Sequence, residues 1–144
     1  MPKMESSIVI NAPIEKVWAY LDDVNNASQY SSNILEAKLT SPGPTRVGTT
    51  YAYTIQAIGQ KMETTGEITA YDPPRKSAWK AIKSPFPMNG STVLEAVAGG
   101  TRVTQTINAE PGGFFKLAEP LLVKQQQSQM EADLTKLKQI LEAR

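Results

Sequence analysis

A change of period along the chain is the strongest constraint on its fold. From Asn33 to Ile107 apolar and polar residues alternate in the runs "ILEAKLT", "VGTTYAYTIQAI", "KMETTGEITAY", "KSAWKAI", "STVLEAV" and "TRVTQTI", the period of half-buried strands. The connections "IGQK", "DPPR" and "VAGGTR" are too short for crossovers, so neighbouring runs pair antiparallel, and Gly99-Gly100 is the strongest hairpin signal. On either side of this block the period is helical. A short β-rich run, "SSIVIN", is followed by "APIEKVWAYLDD", with Pro13 at a first helical position and Ile14, Val17, Trp18 and Leu21 on one face. At the far end "EPGGFFKLAEP" leads into the longest amphipathic segment. Pro120 ends or kinks the part before it, and a continuous helix from Pro120 to Ala143 spans about 35 Å. One sheet face to bury, and one element long enough to cover it, predict an α+β architecture in which the sheet grips the C-terminal helix.

That helix carries an anomaly in "LLVKQQQSQM". At roughly 100° per residue, Val123, Leu134, Leu137 and Leu141 fall within about 40° of Met130. Gln126 and Gln127 fall inside the same stripe, where amides cost more to bury than an apolar pair. If the middle turn faces a cavity rather than close-packed side chains, Gln126, Gln127 and Met130 line it and the amides meet a ligand or ordered water. The competing reading is a rotated or frayed turn with both amides in solvent.

Strand phase nominates the opposite wall. Tyr51, Tyr53 and Ile55 share one face; Met62, Thr64, Gly66 and Ile68 share another, opposite the wet Lys61, Glu63, Thr65 and Glu67; Trp79 lies with Ser77 and Ala81, opposite Lys80. Phenols offer apolar area with a polar handle and suit an amphipathic ligand, although ordinary core shows the same alternation. Gly66 permits a bend or bulge that curls the sheet. Tyr30 and the loop "SPFPMNG" are assigned to an entrance, with Pro85 and Pro87 stiffening it and Phe86 and Met88 gating it. The alternative is a surface loop with no role.

With 144 residues the chain is read as one domain, residues 1–144, large enough to build its own core. Its 15 Lys and Arg against 14 Asp and Glu argue against a phosphate-neutralising surface, so no nucleic-acid partner is expected. There is no cysteine and no histidine, which removes thiolate chemistry, the commonest general base and the usual transition-metal ligands. No metal and no cofactor are expected. "MPKMESSIVIN" lacks a signal-length apolar core, and no apolar run approaches the ~20 residues of a membrane span. The expectation is a cytoplasmic protein without integral membrane association. Glu63, Glu67 and Glu95 fall mainly on outward faces or near strand ends, and no acid pair, nucleophile triad or phosphate loop is legible. Carboxylates, tyrosines, lysines and arginines remain as acids or bases, and Tyr51 or Tyr53 is the candidate donor.

The pieces "INAPIEKVWAYLDD", "VGTTY", "GEITAYDPPRKSAW", "GGTRVTQT", and "PLL" followed by "LTKLKQILE" occur in an order that resembles a known family. It is the polyketide cyclase/dehydrase-like branch of the START and pollen-allergen-like (SRPBCC) helix-grip superfamily, and the resemblance covers nearly the whole chain. It implies a curved antiparallel sheet around a long C-terminal helix, short helices after the first strand, and an elongated cavity for a small hydrophobic or amphipathic molecule. Ser77 stands where the family usually carries a larger apolar residue, which implies extra room. Members include lipid carriers, hormone receptors and ring-closing enzymes, so fold alone does not choose a function. The leading expectation is ligand binding or transport. A cyclase or dehydratase acting on an aromatic or polyketide-like substrate is the alternative, to be marked by a Tyr or carboxylate of shifted pKa inside the cavity. A protein-interaction module with a vestigial cavity is the third, to be marked by a contiguous exposed apolar patch.

Overall fold

The computed structural model describes residues 3–57, 60–84, 87–110, 112 and 114–143. Its strands are β1 (Lys3–Ile10), β2 (Ile34–Leu39), β3 (Thr50–Ala57), β4 (Gln60–Asp72), β5 (Lys76–Lys83), β6 (Met88–Val97) and β7 (Gly100–Ala109). They form one antiparallel sheet in the order β1-β7-β6-β5-β4-β3-β2. Each alternating run of the sequence is thus a strand, and consecutive runs from β2 to β7 are neighbours. The chain passes from the β1 edge to the β2 edge through α1 (Ile14–Asp22), a 3-10 turn (Val24–Asn26) and α2 (Ala27–Tyr30). A short α3 (Phe114–Leu117) precedes the long α4 (Glu119–Glu142).

The special residues act close to where they are expected. Pro13 caps α1, one position before the helix proper. Pro120 falls in the first turn of α4, where a backbone N–H has no intrahelical acceptor and its loss costs little. The break therefore lies at Ala118, and the 24 residues of α4 run on for about 36 Å. At the β6–β7 turn, Gly99 and Gly100 hold φ of 88° and 139°, values that L side chains rarely adopt.

Curvature comes from local irregularity. β4 and β5 change register between Thr65 and Gly66 and again between Ile68 and Ala70, and β2 slips against β3 between Ile34 and Glu36. Such bulges increase local twist and bend the strand that carries them. Lys80 and Glu67 pair on the convex side at 3.8 Å, as their phase requires.

The core does not fill the grip evenly. Leu134, Leu137 and Leu141, from the C-terminal half of α4, pack with Ile10 of β1, Val17 of α1, Leu94 of β6 and Val103 of β7. Met130 packs with Met4 and Ala109 in a second cluster, bordered by Met88, Ile107 and Val123. Toward β3, β4 and β5, the N-terminal half of α4 has no such partners among the described residues.

Candidate functional site

That uneven packing leaves a cavity of about 960 Å³ between the N-terminal half of α4, the concave face of β3–β5 and the α1–α2 segment. Its volume is near the upper end of the range for small-molecule sites, roughly 300–1,000 Å³. Tyr51, Tyr53 and Ile55 of β3, Met62 and Thr64 of β4, and Trp79 of β5 all line it, with Ser77 and Ala81 beside the tryptophan. Tyr30 closes one side. From α4 come Gln126 and Met130, accompanied by Leu122, Val123 and Gln129.

Two large rings keep the floor low because each lies over a glycine on the neighbouring strand. Tyr51 is paired with Gly66, and a Cβ there would stand 2.5 Å from the Tyr51 hydroxyl oxygen. Trp79 is paired with Gly90, and a Cβ there would stand 2.7 Å from Trp79 Cζ2. With no side chain opposite, the rings lie along the sheet instead of standing up into the void. Gly66 thus marks a register shift, as its place in an alternating strand predicts, and also makes room for a ring.

Three expectations change. Gln127 is not on the cavity wall: its Nε2 donates to the backbone carbonyl of Glu5 at 2.9 Å and to Glu131 Oε2 at 3.1 Å. On the helical wheel it lies about 60° to one side of Met130, whereas Gln126 lies about 40° to the other. The first shoulder meets β1 and the second meets the cavity, so the two amides have different surroundings. Met88, assigned to a gating loop, is the first residue of β6 and packs beside the second core cluster while lining the cavity. Phe86, the other proposed gate residue, lies outside the described residues together with Pro85.

The third change is the presence of carboxylates in the cavity wall, where none was expected. Asp133 of α4 is 9% exposed and lines the void. It accepts from Ser31 Oγ at 2.8 Å and from Gln129 Nε2 at 2.6 Å. Burial raises its pKa above the ordinary carboxylate value, against the opposing pull of the Ser31, Gln129 and Ser32 backbone hydrogen bonds. Asp22, at the end of α1, also lines the cavity and accepts from the Tyr71 hydroxyl at 3.0 and 3.1 Å. Burial raises its pKa too, the Tyr71 bond lowers it, and Asp23 adds to the rise. The signal for Asp133 was present on the helical wheel, about 60° from Met130 on the shoulder that carries Gln126. Without the sheet in view, nothing distinguished that shoulder from the other.

The phenols complete the polar equipment. Among the described residues, the hydroxyls of Tyr30, Tyr51 and Tyr53 have no hydrogen-bond partner, nor does the side chain of Gln126. The Tyr51 and Tyr53 rings sit 5.0 Å apart and tilted by 41°. Burial pushes the Tyr53 hydroxyl up to about 12. Burial also raises Tyr51, with Tyr53 adding to it, and raises Tyr30, with Tyr53, Asp133 and Tyr20 adding. All three are therefore neutral phenols at ordinary pH, able to donate and accept hydrogen bonds and unsuited to act as phenolate bases. No group of three or more potential metal-ligating side chains occurs among the described residues. No helix among them is long and apolar enough to cross a membrane.

A family model described as polyketide cyclase / dehydrase and lipid transport matches residues 1–142. No curated protein matches the chain. Among solved structures, one from Thermus thermophilus superposes with a TM-score of 0.85 at 22% identity, covering 99% of this chain and 98% of its own. The Zhui aromatase/cyclase of a Streptomyces species superposes at 0.80 with 16% identity, covering 98% and 93%. A START superfamily protein of Mycobacterium smegmatis also superposes at 0.80, with 11% identity, covering 98% and 97%. At these identities the likeness is one of fold, a curled antiparallel sheet holding a long C-terminal helix.

Proposed function

The chain belongs to the polyketide cyclase/dehydrase and lipid-transport family, and from that premise we propose that it binds and carries a small hydrophobic or amphipathic molecule in the cavity between sheet and helix. The observation that supports this reading most is the composition of the wall. Apolar side chains surround a few convergent polar groups, namely Tyr30, Tyr51, Tyr53 and Gln126, that have no partner among the described residues. In an ordinary core such groups are paired; in a binding site they are left for the ligand. Ser77 adds a small side chain to the floor. The test is native mass spectrometry of gently purified protein, combined with titration of an apolar fluorescent probe. A retained adduct of small-molecule mass, or saturable 1:1 probe uptake, is the expected result. The absence of both adduct and uptake would overturn the proposal.

A second reading, a cyclase or dehydratase acting on an aromatic or polyketide-like substrate, is favoured by Asp133. A carboxyl with raised pKa inside a cavity can give and take a proton near neutral pH more readily than an ordinary surface carboxylate. Its neighbours Ser31 and Gln129 hold it in place. The readings separate on the recovered ligand: a carrier returns it unchanged, whereas an enzyme returns a product of altered mass.

A further inference from the structure

Asp133 has no ion-pair partner among the described residues: no lysine or arginine pairs with it. The residue is 9% exposed and its carboxylate receives hydrogen bonds from Ser31 and Gln129. Of the described side chains that line the cavity, only Lys124 is cationic, and it is solvent-exposed on α4. Asp22 and Asp133 give the wall two carboxyl groups against that single outer ammonium. Buried carboxylates are ordinarily matched by a cation or a metal. Phenol rings line the same cavity: Tyr30, next to Ser31 in the chain, lies within electrostatic reach of both Asp133 and Tyr53, and the Tyr53 ring sits 5.0 Å from that of Tyr51. Electron-rich ring faces attract a cation, and their free hydroxyls accept from an N–H. An anionic head group placed in the same wall would meet two carboxyls and no inner cation.

We infer that the ligand of this cavity carries the missing positive charge: it is an apolar molecule with a protonated amine, seated with the ammonium group between the Asp133 carboxylate and the rings of Tyr30, Tyr51 and Tyr53. This rests on the small-ligand reading above and narrows it to one head-group chemistry. It runs against an acidic lipid, whose carboxylate or phosphate would meet Asp22 and Asp133 and, among the described lining residues, only the exposed Lys124 to neutralise it. Gln126, facing the same void from α4, offers its amide oxygen to a further N–H.

The test uses a matched series on one naphthyl-alkyl body, ending in a primary amine, an alcohol or a carboxylic acid, each competing with an apolar fluorescent probe at neutral pH. The amine is expected to displace the probe at roughly tenfold lower concentration than the alcohol, with the acid weakest. In Asp133→Asn the advantage of the amine over the alcohol should vanish. Equal displacement by amine and alcohol, a preference for the acid, or an amine preference that survives Asp133→Asn would each overturn the inference while leaving small-ligand binding intact. Failure of any compound, including the probe, to bind would overturn both. The ranking on the unaltered protein decides the matter even if the variant does not fold.

Discussion

Replacing Gln126 and Gln127 one at a time with Leu should move stability in opposite directions, although the residues are adjacent and chemically identical. Gln127 gives up two hydrogen bonds, one to the Glu5 carbonyl and one to Glu131. Each is near the surface, so the loss sits at the low end of the usual range, about 0.5–1 kcal/mol in all. Gln126 has no partner among the described residues and faces the cavity, so its replacement breaks no bond and adds apolar surface to an apolar wall. A fully buried Leu contributes roughly 1.5–3 kcal/mol; a half-buried one on the edge of a void contributes about 1 kcal/mol, less whatever ordered water the amide now holds. With a urea slope of about 2 kcal/mol/M for a chain of this size, the two midpoints should shift by roughly 0.5 M, upward for Gln126→Leu and downward for Gln127→Leu. The double variant should fall near the parent, because the two side chains share no partner. Uptake of an apolar probe should change in Gln126→Leu and not in Gln127→Leu. Two shifts of the same sign, or a probe response confined to Gln127→Leu, would refute the assignment of the two shoulders of α4.

Other perturbations test other parts of the structure. Gly100→Ala should destabilise by more than about 3 kcal/mol, because a Cβ would stand 2.0 Å from the Ile10 carbonyl oxygen at a φ of 139°. Gly99→Ala, with nothing within 4 Å at a φ of 88°, should cost only about 1–2 kcal/mol; thermal melts that rank the two equally would contradict the packing of this turn under β1. Asp133 has its pKa raised above 3.8, so the folded chain retains this proton to higher pH than the unfolded chain does. Stability linked to the group is then fully present below 3.8 and is lost as pH rises through the folded value. Urea midpoints taken from about pH 4 upward should accordingly fall less steeply in Asp133→Asn than in the parent, and parallel curves would show that burial does not disfavour the charged form.

How far the sequence determines this protein depends on the range of the interaction involved. The strands, their antiparallel order, the Gly-Gly turn and the break before α4 all follow from the backbone's own chemistry: period, turn conformation and the missing N–H of proline act over a few residues and are visible in "TYAYTIQA" or "AGGT" as written. Strand phase is equally local, which is why Tyr51, Tyr53, Met62, Thr64 and Trp79 could be assigned to one face, and all five line the cavity. Whether that face met close-packed side chains or a void was not local. It depended on α4 packing its C-terminal leucines against Ile10, Val17, Leu94 and Val103, a contact among segments distant in sequence that leaves the cavity between the N-terminal half of the helix and β3–β5. The same placement decided which shoulder of the apolar stripe turned inward. A helical wheel ranks residues by angle from Met130 and has no knowledge of the sheet. It therefore could not tell the shoulder of Gln127 from that of Gln126 and Asp133, until β1 occupied one side of the helix and the cavity the other.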